Sequence, residues 1–253
     1  MDNNRHQGKT VIVTGAGSGI GQASVLRFAA EGATVTGCDI STEGLEITRE
    51  ALVSQGLTAE LMVANVTKQV DVEHLVSSMN GRIDILANVA GIMDHFVPLG
   101  EVTDELWNRV LDVNLNGVMR LTRAALPVME NSGSGSIVTV SSEAALGAGA
   151  SGVAYAVSKN AVMGLVKHVA YFYGPQGIRS NAVLPGPVAT GIGASAAPES
   201  GWAMERAGLK FATMPPTPAA AAQIASVISW LASDEATNVN GAQVTSDGGW
   251  SAA

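Results

Sequence analysis

The sequence predicts an α/β fold: a single domain built on a three-layer, doubly wound parallel sheet of about seven strands. Short β-branched runs alternate with longer helical patterns from one end of the chain to the other. The 253 residues show no internal repeat and no low-complexity linker, and one α/β domain can reach this length. Such alternation is typical of a parallel sheet with helices packed on both faces.

The predicted elements follow one another in a regular order. Strands are predicted at residues 10–14, 33–38, 58–64, 83–87, 136–140, 178–184 and 243–245. Helices are predicted at residues 19–31, 42–55, 68–79, 103–129, 153–173 and 218–232. Thr103 is the expected N-cap of the fourth helix, and Pro127 is expected to tighten or fray its last turn. Residues 188–217 form a long irregular segment, and in compact domains such segments are usually lids or disordered.

Composition and charge exclude several classes of function. The net charge of −8 argues against a nucleic-acid partner, because a polyanion gains nothing from an acidic surface. Cys38 is the only cysteine, so no internal disulfide can form. No apolar run suits a signal peptide or a membrane span, and we expect a cytoplasmic protein. Charged residues make up only 14% of the chain, which suggests contacts between subunits.

A glycine-rich turn follows the first predicted strand. Gly15, Gly19 and Gly21 form a G-x-x-x-G-x-G pattern that includes Ser18 and Ile20. Glycines let the backbone turn sharply here, and the N-terminus of the next helix offers free N–H groups and partial positive charge to a pyrophosphate. A glycine-rich turn can be merely a tight loop. Its place between a strand and a helix favours a dinucleotide site.

Asp39 ends the second predicted strand, twenty residues beyond Gly19. A carboxylate at this place can accept hydrogen bonds from the ribose hydroxyls of NAD, and it repels the 2′-phosphate of NADP. Its neighbours Cys38 and Ile40 are uncharged, and the glycine turn contains no lysine or arginine. NAD is therefore the expected cofactor. In the alternative interpretation, Asp39 only begins a turn with Ser41.

Tyr155 and Lys159 are four residues apart on a predicted helix, which places both side chains on one face. A free tyrosine has a pKa of about 10. An ammonium group about 4 Å away, at an effective dielectric constant near 20, supplies about 4 kcal/mol and would lower that pKa to about 7. Acid–base catalysis works best near this pH. Alone, the pair is a weak signal, because such pairs more often lie on the surface.

With these motifs the chain resembles the short-chain dehydrogenase/reductase family, which has a Rossmann-like fold, over nearly its whole length. The resemblance implies that Tyr155 is the general acid/base and that Lys159 assists it. It also implies that Ser142, thirteen residues before Tyr155, binds the substrate oxygen. Asn114 matches the asparagine that holds a water between the lysine and solvent.

Two of these assignments have a rival nearby. Asn116 competes with Asn114, which in the alternative interpretation is a mid-helix residue facing solvent. Ser141 competes with Ser142, although the thirteen-residue spacing to Tyr155 favours Ser142.

The resemblance extends to the cofactor site. The segment from Asn88 to Gly91 resembles the family's Asn-Asn-Ala-Gly turn, with Val89 for the second Asn and with Asn88 steadying the sheet. Asn65 stands where the family usually has an Asp that contacts adenine. Residues 185–190 resemble the Pro-Gly segment that holds the nicotinamide. The residues implied to bind the cofactor are Gly15, Ser18, Gly19, Ile20, Gly21, Asp39, Asn65, Val66, Asn88, Ala90, Gly91, Tyr155, Lys159, Pro185, Gly186, Val188 and Thr190.

Substrate contacts are expected from the reactive residues, from the loop after Asn88 and from a lid at residues 188–217. The predicted substrate contacts are Ser142, Glu143, His95, Tyr155 and Trp202. The apolar lid side chains suit an apolar or moderately bulky carbonyl compound. They can equally well pack the lid or a subunit contact, and Glu143 can equally well face solvent. No His or Cys cluster has metal-ligand spacing, so no catalytic metal is expected.

The leading prediction is an oxidoreductase that transfers hydride between NAD(H) and a small-molecule secondary alcohol or ketone. By resemblance we expect a homotetramer, with no nucleic-acid or membrane partner. A 3-oxoacyl thioester reductase is the first alternative, although such enzymes usually prefer NADPH. A dinucleotide-binding module without catalysis and a methyltransferase are further alternatives. The methyltransferase would leave Tyr155 and Lys159 unexplained.

Overall fold

A computed structural model describes residues 4–192 and 200–252 of the chain. Seven of its strands are β1 (Thr10–Thr14), β2 (Thr34–Asp39), β3 (Glu60–Val63), β4 (Ile85–Asn88), β5 (Gly135–Val140), β6 (Ile178–Pro185) and β9 (Gln243–Ser246). They form one parallel sheet in the order β3-β2-β1-β4-β5-β6-β9. A short parallel pair joins β7 (Val188–Ala189) to β8 (Ala219–Ala220). The predicted single-domain α/β sheet is confirmed.

Helices cover both faces of this sheet. They are α1 (Gly19–Ala30), α2 (Thr42–Ser54), α3 (Gln69–Ser78), α4 (Asp104–Leu111), α5 (Val118–Ser132), α6 (Val153–Tyr173), α7 (Gly201–Phe211) and α8 (Ala221–Ala232). Side chains alternate between the faces along each strand. Val11 and Val13 of β1 therefore pack with α1 and α8, whereas Ile12 packs with α3 and α5. Across the described ranges, we find no helix with the length and apolarity that crossing a bilayer requires.

The fourth predicted helix is longer and less regular than its sequence indicates. Its N-cap is confirmed, since the Thr103 hydroxyl accepts a hydrogen bond from the Leu106 N–H at 3.2 Å. A π-helical turn at Asp112–Gly117 joins α4 to α5. The expectation that Pro127 frays the last turn is wrong, because α5 continues through it to Ser132. Gly133, with φ +64°, ends the helix in the left-handed region that favours glycine.

The expectation of an irregular segment at residues 188–217 is wrong in part. Helix α7 occupies Gly201–Phe211, and its two glycines lower the helix propensity of its sequence. Residues 193–199 of the predicted lid lie outside the described residues. Helix α8 begins at Ala221 rather than at residue 218, because β8 pairs with β7 and the Ala220 N–H donates to Gln223 Oε1 at 2.8 Å.

The strand order reverses between β1 and β4, and this reversal positions the site. The chain turns away in opposite directions after these two strands, which opens a crevice at their carboxyl ends. The Thr14 hydroxyl bridges the two sides, accepting hydrogen bonds from the Val89 N–H at 2.9 Å and the Ala90 N–H at 3.0 Å. The glycine turn and the turn after β4 therefore form the floor of one cleft.

Candidate active site

A cleft of about 350 Å³ lies at the carboxyl ends of the central strands. Every residue predicted to bind the cofactor lines it, except Asn88. Asn88 is buried, and its amide donates to the Thr122 hydroxyl at 3.2 Å, which ties β4 to α5. The structure also brings to the cleft residues that we did not predict: Cys38, Ile40, Ala64, Val89, Ile92, Val113, Val140, Ser141 and Ile192. Most of them adjoin predicted residues at strand ends, which is the signal that would have found them.

The glycine turn is tightly closed and leaves the N-terminus of α1 without a side-chain cap. Gly15 has φ +71° and Gly19 has φ +52°. A Cβ on Gly21 would lie 1.9 Å from the Gly15 carbonyl oxygen, so the turn is closed too tightly for any side chain there. Ser18, the N-cap of α1, makes no side-chain cap, and the first turn holds no acidic residue. By contrast, Ser41 caps α2. The free N–H groups of α1 thus fit the anionic part of a dinucleotide.

Asp39 lies at the end of β2 and lines the cleft. Its carboxylate accepts a hydrogen bond from the Gly17 N–H at 3.0 Å and another from the Ser41 N–H at 2.9 Å. Asp39 therefore does begin a turn with Ser41. This does not prevent it from binding the ribose hydroxyls of a cofactor, because a carboxylate can accept about four hydrogen bonds. Lys159 is the one basic side chain among the described residues of the cleft wall.

The π-helical turn directs Asn114 into the protein. Its Oδ1 accepts from the Ile92 N–H at 2.8 Å, and its Nδ2 donates to the Ile92 carbonyl at 2.9 Å and to the Ser158 hydroxyl at 3.1 Å. Asn114 is 1% exposed, so the interpretation as a solvent-facing residue is wrong. Its rival Asn116 donates to Asp112 on the same helix at 3.2 Å. Of the two asparagines, Asn114 is therefore the one that contacts a residue of the cleft wall, Ile92.

Gly91 separates Asn114 from Lys159. A Cβ on Gly91 would lie 3.3 Å from Asn114 Oδ1 and 3.3 Å from Lys159 Nζ. Glycine at this position therefore keeps a side chain out of the gap between the amide and the ammonium.

Tyr155 and Lys159 face the same cleft from α6, and both are buried. Lys159 Nζ lies 5.5 Å from the centroid of the Tyr155 ring and donates to the Val140 carbonyl at 2.9 Å. The Ser142 side chain is hydrogen-bonded to the Tyr155 phenol. The hydroxyl of its rival Ser141 instead donates to the Lys159 carbonyl at 2.8 Å. Ser142, whose side chain lowers the pKa of the phenol, is therefore favoured over Ser141 as the partner of Tyr155.

Asp94 positions this helix, and sequence reasoning missed the role. Its side chain is fully buried, accepting from the Gly152 N–H at 3.0 Å and from the Tyr155 N–H at 2.9 Å. These N–H groups belong to the first turn of α6, which has no capping side chain of its own. The capping carboxylate comes from 58 residues earlier in the chain, so no local pattern signals it.

The expected lowering of the Tyr155 pKa is wrong for the protein alone. Burial raises the pKa of Tyr155 to about 12; the hydrogen bond with Ser142 lowers it in part, and the nearby Asp94 carboxylate raises it. Burial also lowers the pKa of Lys159 to about 8. Desolvation disfavours both charged forms and is the largest influence on each pKa. Tyr155 is therefore a neutral phenol at physiological pH.

Three of the predicted substrate contacts do not line the described part of the cleft. Glu143 does not face solvent, because its carboxylate is 2% exposed and pairs with Lys210 at 2.7 Å. Trp202 is 61% exposed, and its indole N–H donates to Glu101 Oε1 at 2.6 Å. His95 is half-buried and has φ +54°. Ser142 and Tyr155 alone of the predicted substrate set lie on the cleft wall.

The buried ammonium of Lys159 costs stability, and we expect Lys159→Met to stabilise the protein at pH 7 by up to about 3 kcal/mol. The folded-state pKa of about 8 lies below the ordinary value of 10.5. Between these pH values the unfolded chain binds more protons, so the wild type gains stability as pH rises. Urea unfolding at pH 7 and pH 10 should show the advantage of Lys159→Met shrinking at the higher pH. Lys167→Met, on the exposed face of α6, is the control. Equal stability of the two variants at pH 7 would contradict the argument.

Comparison with known proteins shows the family of this chain. A family model described as enoyl-(acyl carrier protein) reductase matches residues 15–251. The 3β-hydroxysteroid dehydrogenase 2 of Eggerthella lenta is 40% identical over 251 residues, which cover 97% of this chain and 95% of that protein. The crystal structure of levodione reductase has a TM-score of 0.89 at 33% identity, covering 98% of this chain and 99% of the other.

A second solved structure bears on the cofactor. A protein of Beutenbergia cavernae assigned as an NAD(P)-dependent gluconate 5-dehydrogenase holds NADP at low occupancy. It has a TM-score of 0.87 at 34% identity and covers 98% of each chain. These likenesses extend over nearly the full sequence. The chain belongs to the short-chain dehydrogenase/reductase family of oxidoreductases.

Proposed function

We propose that this oxidoreductase interconverts a secondary alcohol and a ketone, with NAD(H) as the hydride carrier. The observation that carries the proposal is the convergence of Tyr155, Lys159 and Ser142 at one end of a cleft whose other end is the glycine turn. The names of two relatives support it, since one is a hydroxysteroid dehydrogenase and the other reduces levodione.

The mechanism assigns one task to each side chain. The nicotinamide, when bound, supplies or accepts the hydride. During reduction, the neutral Tyr155 phenol donates its proton to the carbonyl oxygen, which the Ser142 hydroxyl also holds. Lys159 is protonated below pH 8 and stabilises the phenolate that results. Oxidation is the reverse transfer: the Tyr155 phenol first releases its proton to solvent, which the neighbouring ammonium of Lys159 favours, and the phenolate oxygen then takes the alcohol proton.

We propose NAD rather than NADP because of Asp39. Its carboxylate lines the cleft with lone pairs to spare for the ribose hydroxyls, and it would repel a 2′-phosphate. No described basic residue of the cleft wall other than Lys159 is available to neutralise that phosphate. The NADP-bound relative makes this preference worth measuring directly.

Asp39→Asn should weaken the preference for NAD by roughly 10–100-fold, because a charge-assisted hydrogen bond and the repulsion of phosphate are both lost. We expect kcat/KM with NAD to fall and kcat/KM with NADP to rise. Glu43→Gln, an exposed carboxylate in the first turn of α2, is the matched control and should change neither value. Equal kcat/KM values for NAD and NADP in the wild-type protein would overturn the assignment.

A substrate panel tests the proposed function itself. The purified protein is supplied with cyclic and open-chain ketones, the matching alcohols and a 3-oxoacyl thioester, each with NAD(H) and NADP(H), while the nicotinamide absorbance is followed. Turnover of ketones supports the proposal, and turnover of the thioester alone supports the alternative of a 3-oxoacyl thioester reductase. Binding of NADH without any turnover would leave a non-catalytic module.

We also propose that residues 188–217 serve as the substrate lid and that the protein is a homo-oligomer. The short β7·β8 pair lies at the two ends of this segment. Near its first end, the Thr190 side chain lies against the glycine turn, since a Cβ added to Gly19 would be 3.0 Å from Thr190 Cγ2. Exposed Tyr171 and Phe172 near the end of α6 support a contact between subunits. Light scattering tests the oligomeric state.

A further inference from the structure

Helix α7 is held against the body of the protein by its C-terminal turn. Lys210 Nζ pairs with Glu143 Oε1 at 2.7 Å and lies 4.6 Å from the centroid of the Trp250 indole. The Trp250 N–H donates to the Lys210 carbonyl at 3.2 Å. Lys210 is thus fixed by an ion pair, a cation–π contact and a backbone hydrogen bond at once.

Glu143 directly follows Ser142 in the chain, and its carboxylate is almost completely buried. Its second oxygen, Oε2, has no hydrogen-bond partner among the described residues. Among the described residues, Lys210 is therefore the cation that neutralises the buried Glu143 carboxylate. A buried carboxylate that loses its partner is strongly destabilised where it stands, so the loss of Lys210 would displace the segment that carries Ser142.

A second contact links α7 to the reactive residues. Phe211 packs edge-on against Phe96, with ring centroids 5.5 Å apart. His95 and Phe96 both have a positive backbone φ angle, which residues other than glycine rarely adopt. They directly follow Asp94, whose carboxylate holds the Tyr155 N–H. Helix α7 therefore contacts both segments that position the reactive side chains.

We propose that Glu143 is a positioning residue, and that its ion pair with Lys210 fixes helix α7 to the segment that carries Ser142. This inference rests on the proposed function, since it assigns the pair to binding the ketone and to aligning its oxygen. The pair lies outside the cofactor-binding wall of the cleft, so it should leave the affinity for NADH unchanged.

Kinetics of a double-mutant cycle test the inference. Lys210→Met should raise KM for the ketone and lower kcat/KM by roughly 10–100-fold, with the Kd of NADH unchanged. Glu143→Gln should act in the same direction. The double variant should be no worse than Lys210→Met, because it leaves no buried charge unpaired. Lys210→Arg, which keeps the cation, should restore most of the activity, and Arg206→Met, an exposed cation on the same helix, should change nothing.

Two kinetic results would overturn the inference. One is a KM in Lys210→Met within twofold of the wild-type value, since a merely structural role would reduce the amount of active protein without moving KM. The other is strict additivity of the two single variants.

Amide hydrogen exchange separates this inference from the proposed function. If the wild type turns over no substrate, the proposed function fails, but the ion pair is still testable. Exchange should then increase at residues 142–147 and 201–211 in Lys210→Met and not in Arg206→Met. Unchanged exchange in both segments would overturn the proposed role of the pair.

Discussion

Replacing Tyr155 by Phe is expected to lower turnover by about 10²–10⁴-fold, the usual contribution of a general acid or base. Phe keeps the ring that packs in the buried cluster with Val110, Ala144 and Ala154, so the fold should be preserved. The substitution removes only the hydroxyl that Ser142 contacts. Because the group that transfers its proton to the carbonyl oxygen is then lost, the effect should appear in kcat rather than in the affinity for NADH.

Single-turnover reduction and fluorescence titration with NADH measure these two quantities separately. Tyr173→Phe is the matched control, because this tyrosine lies at the other end of α6 from Tyr155 and does not line the cleft. It should leave both kcat and NADH binding at wild-type values. Retention of more than about a tenth of the wild-type kcat in Tyr155→Phe would remove Tyr155 from the mechanism.

The sheet and the cofactor wall could be predicted because their signals are local. A strand buried on both faces reads as a continuous apolar run, as Val11, Ile12 and Val13 do, and a glycine turn after such a strand marks the start of a dinucleotide site. Asp39 could be placed because the end of β2 is fixed relative to that turn by the parallel register of the strands.

The positioning groups could not be predicted because they depend on contacts between distant segments. Asp94 caps a helix that begins 59 residues later, and Glu143 pairs with a lysine 67 residues away. Neither carboxylate has a recognisable partner nearby in the sequence. Helix α7 was missed for a local reason, since Gly201 and Gly208 weaken its helical pattern.

The pKa of Tyr155 was mispredicted because the sequence shows spacing but not burial. The four-residue separation from Lys159 correctly places both groups on one face of α6. It does not reveal that both are buried, and desolvation of the phenol outweighs the attraction of an ammonium 5.5 Å from its ring. A neutral phenol suits proton donation to a carbonyl, so the proposed role survives the correction.

Gly21→Ala is expected to destabilise the protein by at least about 3 kcal/mol and to abolish binding of NADH. The added Cβ would lie 1.9 Å from the Gly15 carbonyl oxygen and 2.4 Å from its carbonyl carbon. These are backbone atoms, so no side chain can rotate away. Relief requires the turn to move away from α1, and the N–H groups that fit a pyrophosphate move with it.

Gly208→Ala is the matched control, since a Cβ at this position of α7 meets nothing within 4 Å. This variant should gain about 0.5–1 kcal/mol from helix propensity alone. Urea unfolding and NADH titration of both variants check the pair of expectations. A Gly21→Ala protein with wild-type stability and wild-type NADH affinity would contradict the tight turn. Gly21 does not have the positive φ of Gly15 and Gly19, so the loss would reflect the space at the helix start and not backbone strain.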